Sequence, residues 1–227
     1  MTPTYTPGKV LKKAVVWKDL YFYRKSDAIY QLTVAFCGRF LPAHGDRTVD
    51  QMVQAARSGK QNIVEGSEDG LTSSEMELKL LNVARGSLQE LRSDYQDYLN
   101  TRHLAVWAAD SQRQQRLRDF CHANNDYSDY APLVERMCDE EMANLLLTLC
   151  HQTDSMMCSY INKLEERFVK EGGIKERMHA ARTGYRREQE ARLQTLEAEN
   201  RQLKARIQER EALRSPPETP PQPPRKT

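Results

Sequence analysis

A chain of 227 residues accommodates one sizeable domain with appendages. Its 39% apolar content is low, and no apolar run is long enough to span a membrane. The formal charge of +2 conceals an uneven spread: residues 1–25 carry six basic against one acidic (+5), 26–172 fifteen against twenty-three (−8), and 173–227 thirteen against eight (+5). An acidic body with basic ends reads first as solvated helix faces, with phosphate contact through the ends as the alternative. Few β-branched runs and many Leu, Glu, Gln, Arg and Ala predict an all-helical chain. The cysteines Cys37, Cys121, Cys138, Cys150 and Cys158 include no CxxC pair, and the N-terminus lacks an apolar leader. Reduced thiols in a cytoplasmic protein are expected.

Residues 1–25 read as a basic arm, with Lys12 and Lys13 among its cations and Trp17, Leu20 and Tyr21 as anchors of a strap. A first helix starts at Ser26, with Ile29, Leu32, Phe36 and Phe40 on one stripe, and stops before Pro42. A second runs from about Asp46 to Glu65, with Thr48 and Gln51 as a capping box and Gly66 as its terminating glycine. A third begins at Thr72 or Ser74, each followed three residues later by a glutamate, and carries Leu81, Ala84, Leu88, Leu91, Tyr95 and Tyr98 on one face. Residues 103–131 mix a helical stretch, SQRQQRLRDF, with a loop-like HANNDYSDYAP. A long fourth helix follows, from about Pro132 to Lys170, with Met142, Leu146, Leu149, Thr153, Met156, Tyr160 and Leu164 on its stripe. Gly172-Gly173 ends it.

The fold class expected is therefore an antiparallel up-down four-helix bundle over 26–172. A charged helix or short coiled coil over 173–214 and a disordered Pro-rich tail over 215–227 complete the chain. On the charged helix, Leu193, Leu196, Asn200, Leu203 and Ile207 alternate at spacings of three and four, with the polar Asn200 at an a position. The interior glycines of the second and third helices are costly and call for close packing. A turn near 67–72 pairs Gly59 with Leu80 and Gly86 with Val53.

Two stretches carry a family resemblance. The second helix ends Ser58-Gly59-Lys60-Gln61-Asn62-Ile63-Val64-Glu65-Gly66, and the third holds Ala84-Arg85-Gly86-Ser87-Leu88-Gln89-Glu90. In order and separation these resemble the bacterial four-helix-bundle family of 23S rRNA intervening-sequence proteins and retroelement accessory proteins. The resemblance covers about residues 26–100. It implies a homo-oligomer, a pentamer in the retroelement branch, which also binds nucleic acid. This chain is longer and its body more acidic than the nucleic-acid-binding relatives, which shifts expected contacts away from the bundle surface.

No catalytic constellation emerges. Di-iron bundles need two Glu-x-x-His motifs, and only Glu176-x-x-His179 occurs, beyond the glycine pair. His44, His103, His122 and His151 have no partner at ligand spacing. Gly59-Lys60 lacks the first glycine of a phosphate loop, since Gln54 stands there. No metal, cofactor or small-molecule substrate is expected. The hairpin residues are Gly59, Asn62, Ile63, Glu65, Gly66, Gly86 and Ser87, with Glu65 accepting from backbone donors of the turn. Arg57, Lys60, Arg85, Lys12, Lys13, Arg186 and Arg187 are the candidate contacts to nucleic acid or to another subunit. The function expected is a non-catalytic, homo-oligomeric nucleic-acid or ribonucleoprotein accessory. The alternative is a protein-interaction scaffold whose helical tail self-associates or recruits a partner.

Overall fold

The computed structural model describes residue 11, residues 16–42 and residues 47–214. Lys12, Lys13 and the Pro-rich segment after Arg214 lie outside the described residues. Among the described residues the chain is all-α. A short 3-10 turn, Trp17–Asp19, precedes seven helices: α1 (Tyr21–Phe40), α2 (Arg47–Asp69), α3 (Ser74–Thr101), α4 (Gln112–Ala123), α5 (Tyr127–Val134), α6 (Asp139–Glu171) and α7 (Ile174–Arg214). None of them is long and apolar enough to cross a membrane.

The body extends to Arg177, and a second unit comprises α7 from Met178 onward. In the body, α1 packs on α2 and α6, and α3 packs on the same two helices. The stripes that define these helices in sequence meet at the centre. Ile29, Leu32 and Phe36 of α1, Met52 and Ile63 of α2, Leu81, Leu88, Leu91 and Tyr95 of α3, and Met142, Leu146 and Leu149 of α6 are all buried. Phe36 stacks edge-on against Tyr95 and Tyr98, with ring centroids 5.2 and 4.8 Å apart. The polar groups of this centre are satisfied: Tyr95 Oη donates to Thr33 Oγ1 at 2.9 Å, and Thr33 donates to the Ile29 carbonyl.

Several boundaries differ from the sequence reading. α1 begins at Tyr21, so Phe22 and Lys25 are core residues rather than parts of an arm, while Tyr21 itself is exposed. α2 continues through Gly66 to Asp69, and the chain reverses at Gly70–Thr72. Thr48 and Gln51 consequently lie inside α2. Ser73, rather than Thr72 or Ser74, caps α3 by accepting from the Met76 amide at 3.1 Å. The later reversal shifts the α2–α3 pairing. An added Cβ on Gly59 would lie 3.0 Å from Leu88, and one on Gly66 would lie 3.2 Å from the Cβ of Leu80. Nothing comes within 4 Å of a Cβ placed on Gly86. The expected pairs Gly59–Leu80 and Gly86–Val53 are therefore replaced by Gly59–Leu88 and Gly66–Leu80.

The loop-like HANNDYSDYAP holds α5. Its helix starts because Asp126 and Asp129 form a capping box, the Asp126 amide donating to Asp129 Oδ2 at 3.0 Å. α6 begins only at Asp139, after a second box in which the Cys138 amide donates to Glu141. On α6, Met157 and Ile161 are buried, while Met156 and Tyr160 flank them at the rim. α6 ends as expected at Gly172, whose φ of 70° is open to glycine and costly for other residues.

Candidate functional site

The polar residues of the α2–α3 block are largely engaged within the chain. Lys60 Nζ lies 3.1 Å from Asp27 Oδ1 on α1 and 4.4 Å from the Tyr30 ring centroid. Arg85 donates to Asp154 on α6 at 2.8 Å, and the Gln89 amide reaches the same oxygen. This bond raises the Arg85 pKa further, keeping the guanidinium charged. Asn62 donates back to the Ser58 carbonyl at 2.8 Å, and Ser87 to that of Val83. Ile63 is core, and Arg57 and Glu65 are exposed. Glu65 does not lock the turn, since the residues after it remain helical. Glu77 occupies that position: its carboxylate is buried beneath Gly70, where an added Cβ would lie 2.6 Å from it, and Tyr160 Oη donates to it at 3.4 Å.

The surface beside this block is acidic. Asp50, Glu90 and Asp94 line a groove between α2 and α3, together with Ser58, Ser87 and one cation, Arg47. Burial, with Asp97 and Glu90 nearby, raises the Asp94 pKa, as expected where carboxylates crowd. Three carboxylates against one guanidinium make this groove net acidic and disfavour phosphate there.

A second cleft, of about 870 Å³, opens between α1, α4 and α6. Tyr21, Lys25, Arg118, His122, His151 and Met156 contribute to its lining. Lys25 is only 2% exposed, and its ammonium donates to the Cys121 carbonyl and, at 2.8 Å, to that of Asn124. These carbonyls close the C-terminal end of α4, where a cation complements the helix dipole. Burial nevertheless lowers the Lys25 pKa. The neighbouring Arg24 forms a two-pronged ion pair with Asp126, the cap of α5, Nε lying 2.7 Å from Oδ1. That guanidinium holds the Asp126 carboxyl below its usual range. Two consecutive cations that the sequence places in the arm thus pin the α4–α5 junction to α1. His122 and His151 meet at this cleft from different helices, a convergence hidden by their sequence separation. Among the described residues, no group of three or more His, Cys, Asp or Glu side chains is placed to hold a metal ion.

On α7 the surroundings are open. Leu193, Leu196, Leu203 and Ile207 are 58, 50, 55 and 54% exposed. Leu193, Leu196 and Asn200 line a shallow depression bordered by Glu197 and Lys204. Arg182, Arg186 and Arg187 are exposed upstream of it. An apolar seam and a set of outward cations therefore share one helix.

The molecule is thus an all-α protein with a packed helical body and a long charged helix bearing an uncovered apolar seam. Comparisons with protein-family models, with curated proteins and with solved structures gave no match.

Proposed function

We propose that this chain is a non-catalytic, homo-oligomeric accessory protein that contacts nucleic acid or a ribonucleoprotein through its C-terminal helix. In this reading the ring of α1, α2, α3 and α6 is an antiparallel four-helix bundle of the intervening-sequence type, serving as the scaffold. The observation that carries it is the division of cations. Four cations of the body, Arg24, Lys25, Lys60 and Arg85, are held by partners within the chain while Arg57 is exposed, and α7 gathers Arg182, Arg186 and Arg187, all facing outward. The net-acidic groove beside α2 and α3 disfavours phosphate on that face of the body. Five cysteines without a disulfide fit a reducing, cytoplasmic setting.

Fluorescence anisotropy of the full chain with labelled oligonucleotides of about 20 residues, RNA and DNA, single- and double-stranded, tests the reading. Binding whose logarithmic affinity falls linearly with the logarithm of salt concentration is expected. Absence of binding, or affinity indifferent to salt, overturns it.

The second reading, a protein-interaction scaffold, is favoured by the exposed Leu193–Ile207 seam. Exposed leucines and isoleucine at heptad spacing are unusual on a solvated helix and ask for a covering partner.

A further inference from the structure

We propose that α7 is covered by α7 of a second copy of this chain, running parallel and in register, with residues 193–211 forming the contact. The proposal deepens the assembly part of the function above, on which it rests, by naming the partner and its geometry.

The seam itself supplies a short core. With Asn200 at an a position, Leu193 and Ile207 also fall at a, Leu196 and Leu203 at d, and Arg210 at the last d, where the apolar core ends. The flanking positions then identify the occupant. Residues preceding each a position, at g, are Arg192, Glu199 and Arg206. Those four after each a position, at e, are Glu197, Lys204 and Glu211. In a parallel coiled coil each g residue meets the e residue of the next heptad on the partner. Arg192 then meets Glu197, Glu199 meets Lys204, and Arg206 meets Glu211. All three cross-pairs are opposite in sign, and the signs alternate along the seam. A slip of one heptad would set Arg192 near Lys204 and Glu199 near Glu211, bringing like charges together. The chain is therefore complementary to itself in one register.

Asn200 sets the direction. Parallel helices place a against a, so the two Asn200 side chains bond each other. Antiparallel helices place a against d, which would bury each amide against leucine without a partner. Upstream, the same a and d positions hold Gln189, Arg186 and Arg182, all exposed. Facing arginines end the zipper at Leu193 and leave those cations outside the contact, available to phosphate. With so few core positions, the contact is a weak one that responds to concentration. It joins chains in twos, and an odd number of equivalent tails in a closed ring could not all be paired this way.

Full-length variants test the geometry without nucleic acid, so failure of phosphate binding leaves the result intact. In sedimentation equilibrium, Arg192→Glu and Glu197→Arg, each alone, should weaken self-association about tenfold, because each converts two symmetric attractions into repulsions. Mixing the two single variants should restore association, because in the mixed dimer position 192 of each chain meets position 197 of the other with opposite charge, in both cross-pairs. In a Cys138→Ser, Cys158→Ser background, mild oxidation should cross-link Leu196→Cys into a dimer, and Gln202→Cys, on the far face, should cross-link far less. Unchanged association in both single variants, or no recovery on mixing, overturns the proposal. Equal cross-linking at the two cysteine positions does so as well.

Discussion

At Gly59 an added Cβ would lie 3.0 Å from the Leu88 side chain, whereas at Gly86 it would meet nothing within 4 Å. Both glycines occupy helix interiors, so both carry the same intrinsic penalty. The two substitutions should therefore differ in sign. Gly59→Val should lower unfolding free energy by about 1–3 kcal/mol through overpacking. Gly86→Ala should raise it by about 0.5–1 kcal/mol by restoring helix propensity. Urea denaturation of both variants checks the pair. His103 offers a related case. It sits at φ 55° just after α3, while the Leu104 amide bonds the Leu99 carbonyl at 2.9 Å in the pattern of a Schellman cap. This left-handed position favours glycine. His103→Gly should stabilise the protein by about 0.5–1 kcal/mol, read from the same denaturation curves.

At the scale of elements, α1 does more than pack its apolar stripe. Lys25 satisfies two terminal carbonyls of the α4 end, and Arg24 holds the α5 cap. Lys25→Met keeps most of the side-chain volume but removes the ammonium from both carbonyls, of which Asn124's keeps Tyr130 Oη as a donor at 2.7 Å. It should cost about 1–3 kcal/mol, with faster hydrogen exchange concentrated in α4 and α5. Buried thiols and phenols add a pH dependence. Burial raises Cys121 and Cys150 from 9.0 to about 12, and Tyr98 and Tyr160 from 10.0 to about 12. Each group keeps its proton in the folded state after the unfolded chain would lose it. Its contribution is complete below the unfolded value and is lost as pH rises through the folded one. Lys25, whose pKa is lowered, acts in the opposite direction below 10.5 but is a single group. The melting temperature should therefore fall between about pH 9 and 12, as thermal denaturation in a pH series would show.

The same elements show what is readable in the sequence. The stripes of α1, α3 and α6 identify most of the core because burial and helical period coincide there. Lys25 and Glu77 escape that pattern although each extends a stripe backwards by four residues, Lys25 before Ile29 and Glu77 before Leu81. A charged residue on an apolar face reads as the end of the stripe, whereas here it is a buried group with a partner. The α2–α3 pairing shifts because a glycine near a helix end resembles a terminator, and Gly66 instead remains helical where it packs on Leu80. The α4–α5 junction depends on bonds to α1 that span 102 and 99 residues of sequence, which no local pattern encodes. The α7 seam is legible because a heptad is a local pattern.

For the whole molecule, the proposed division is between body cations held within the chain, Arg24, Lys25, Lys60 and Arg85, and the outward arginines gathered on α7 for a partner. The full chain and its Arg182→Gln, Arg186→Gln, Arg187→Gln variant should melt alike, since these side chains are exposed. The direct test is the salt dependence of their nucleic-acid affinity, measured side by side by fluorescence anisotropy. The account predicts a logarithmic slope shallower in the variant by about two to three, roughly one unit for each phosphate that an arginine no longer neutralises. Identical slopes for the two proteins would contradict it.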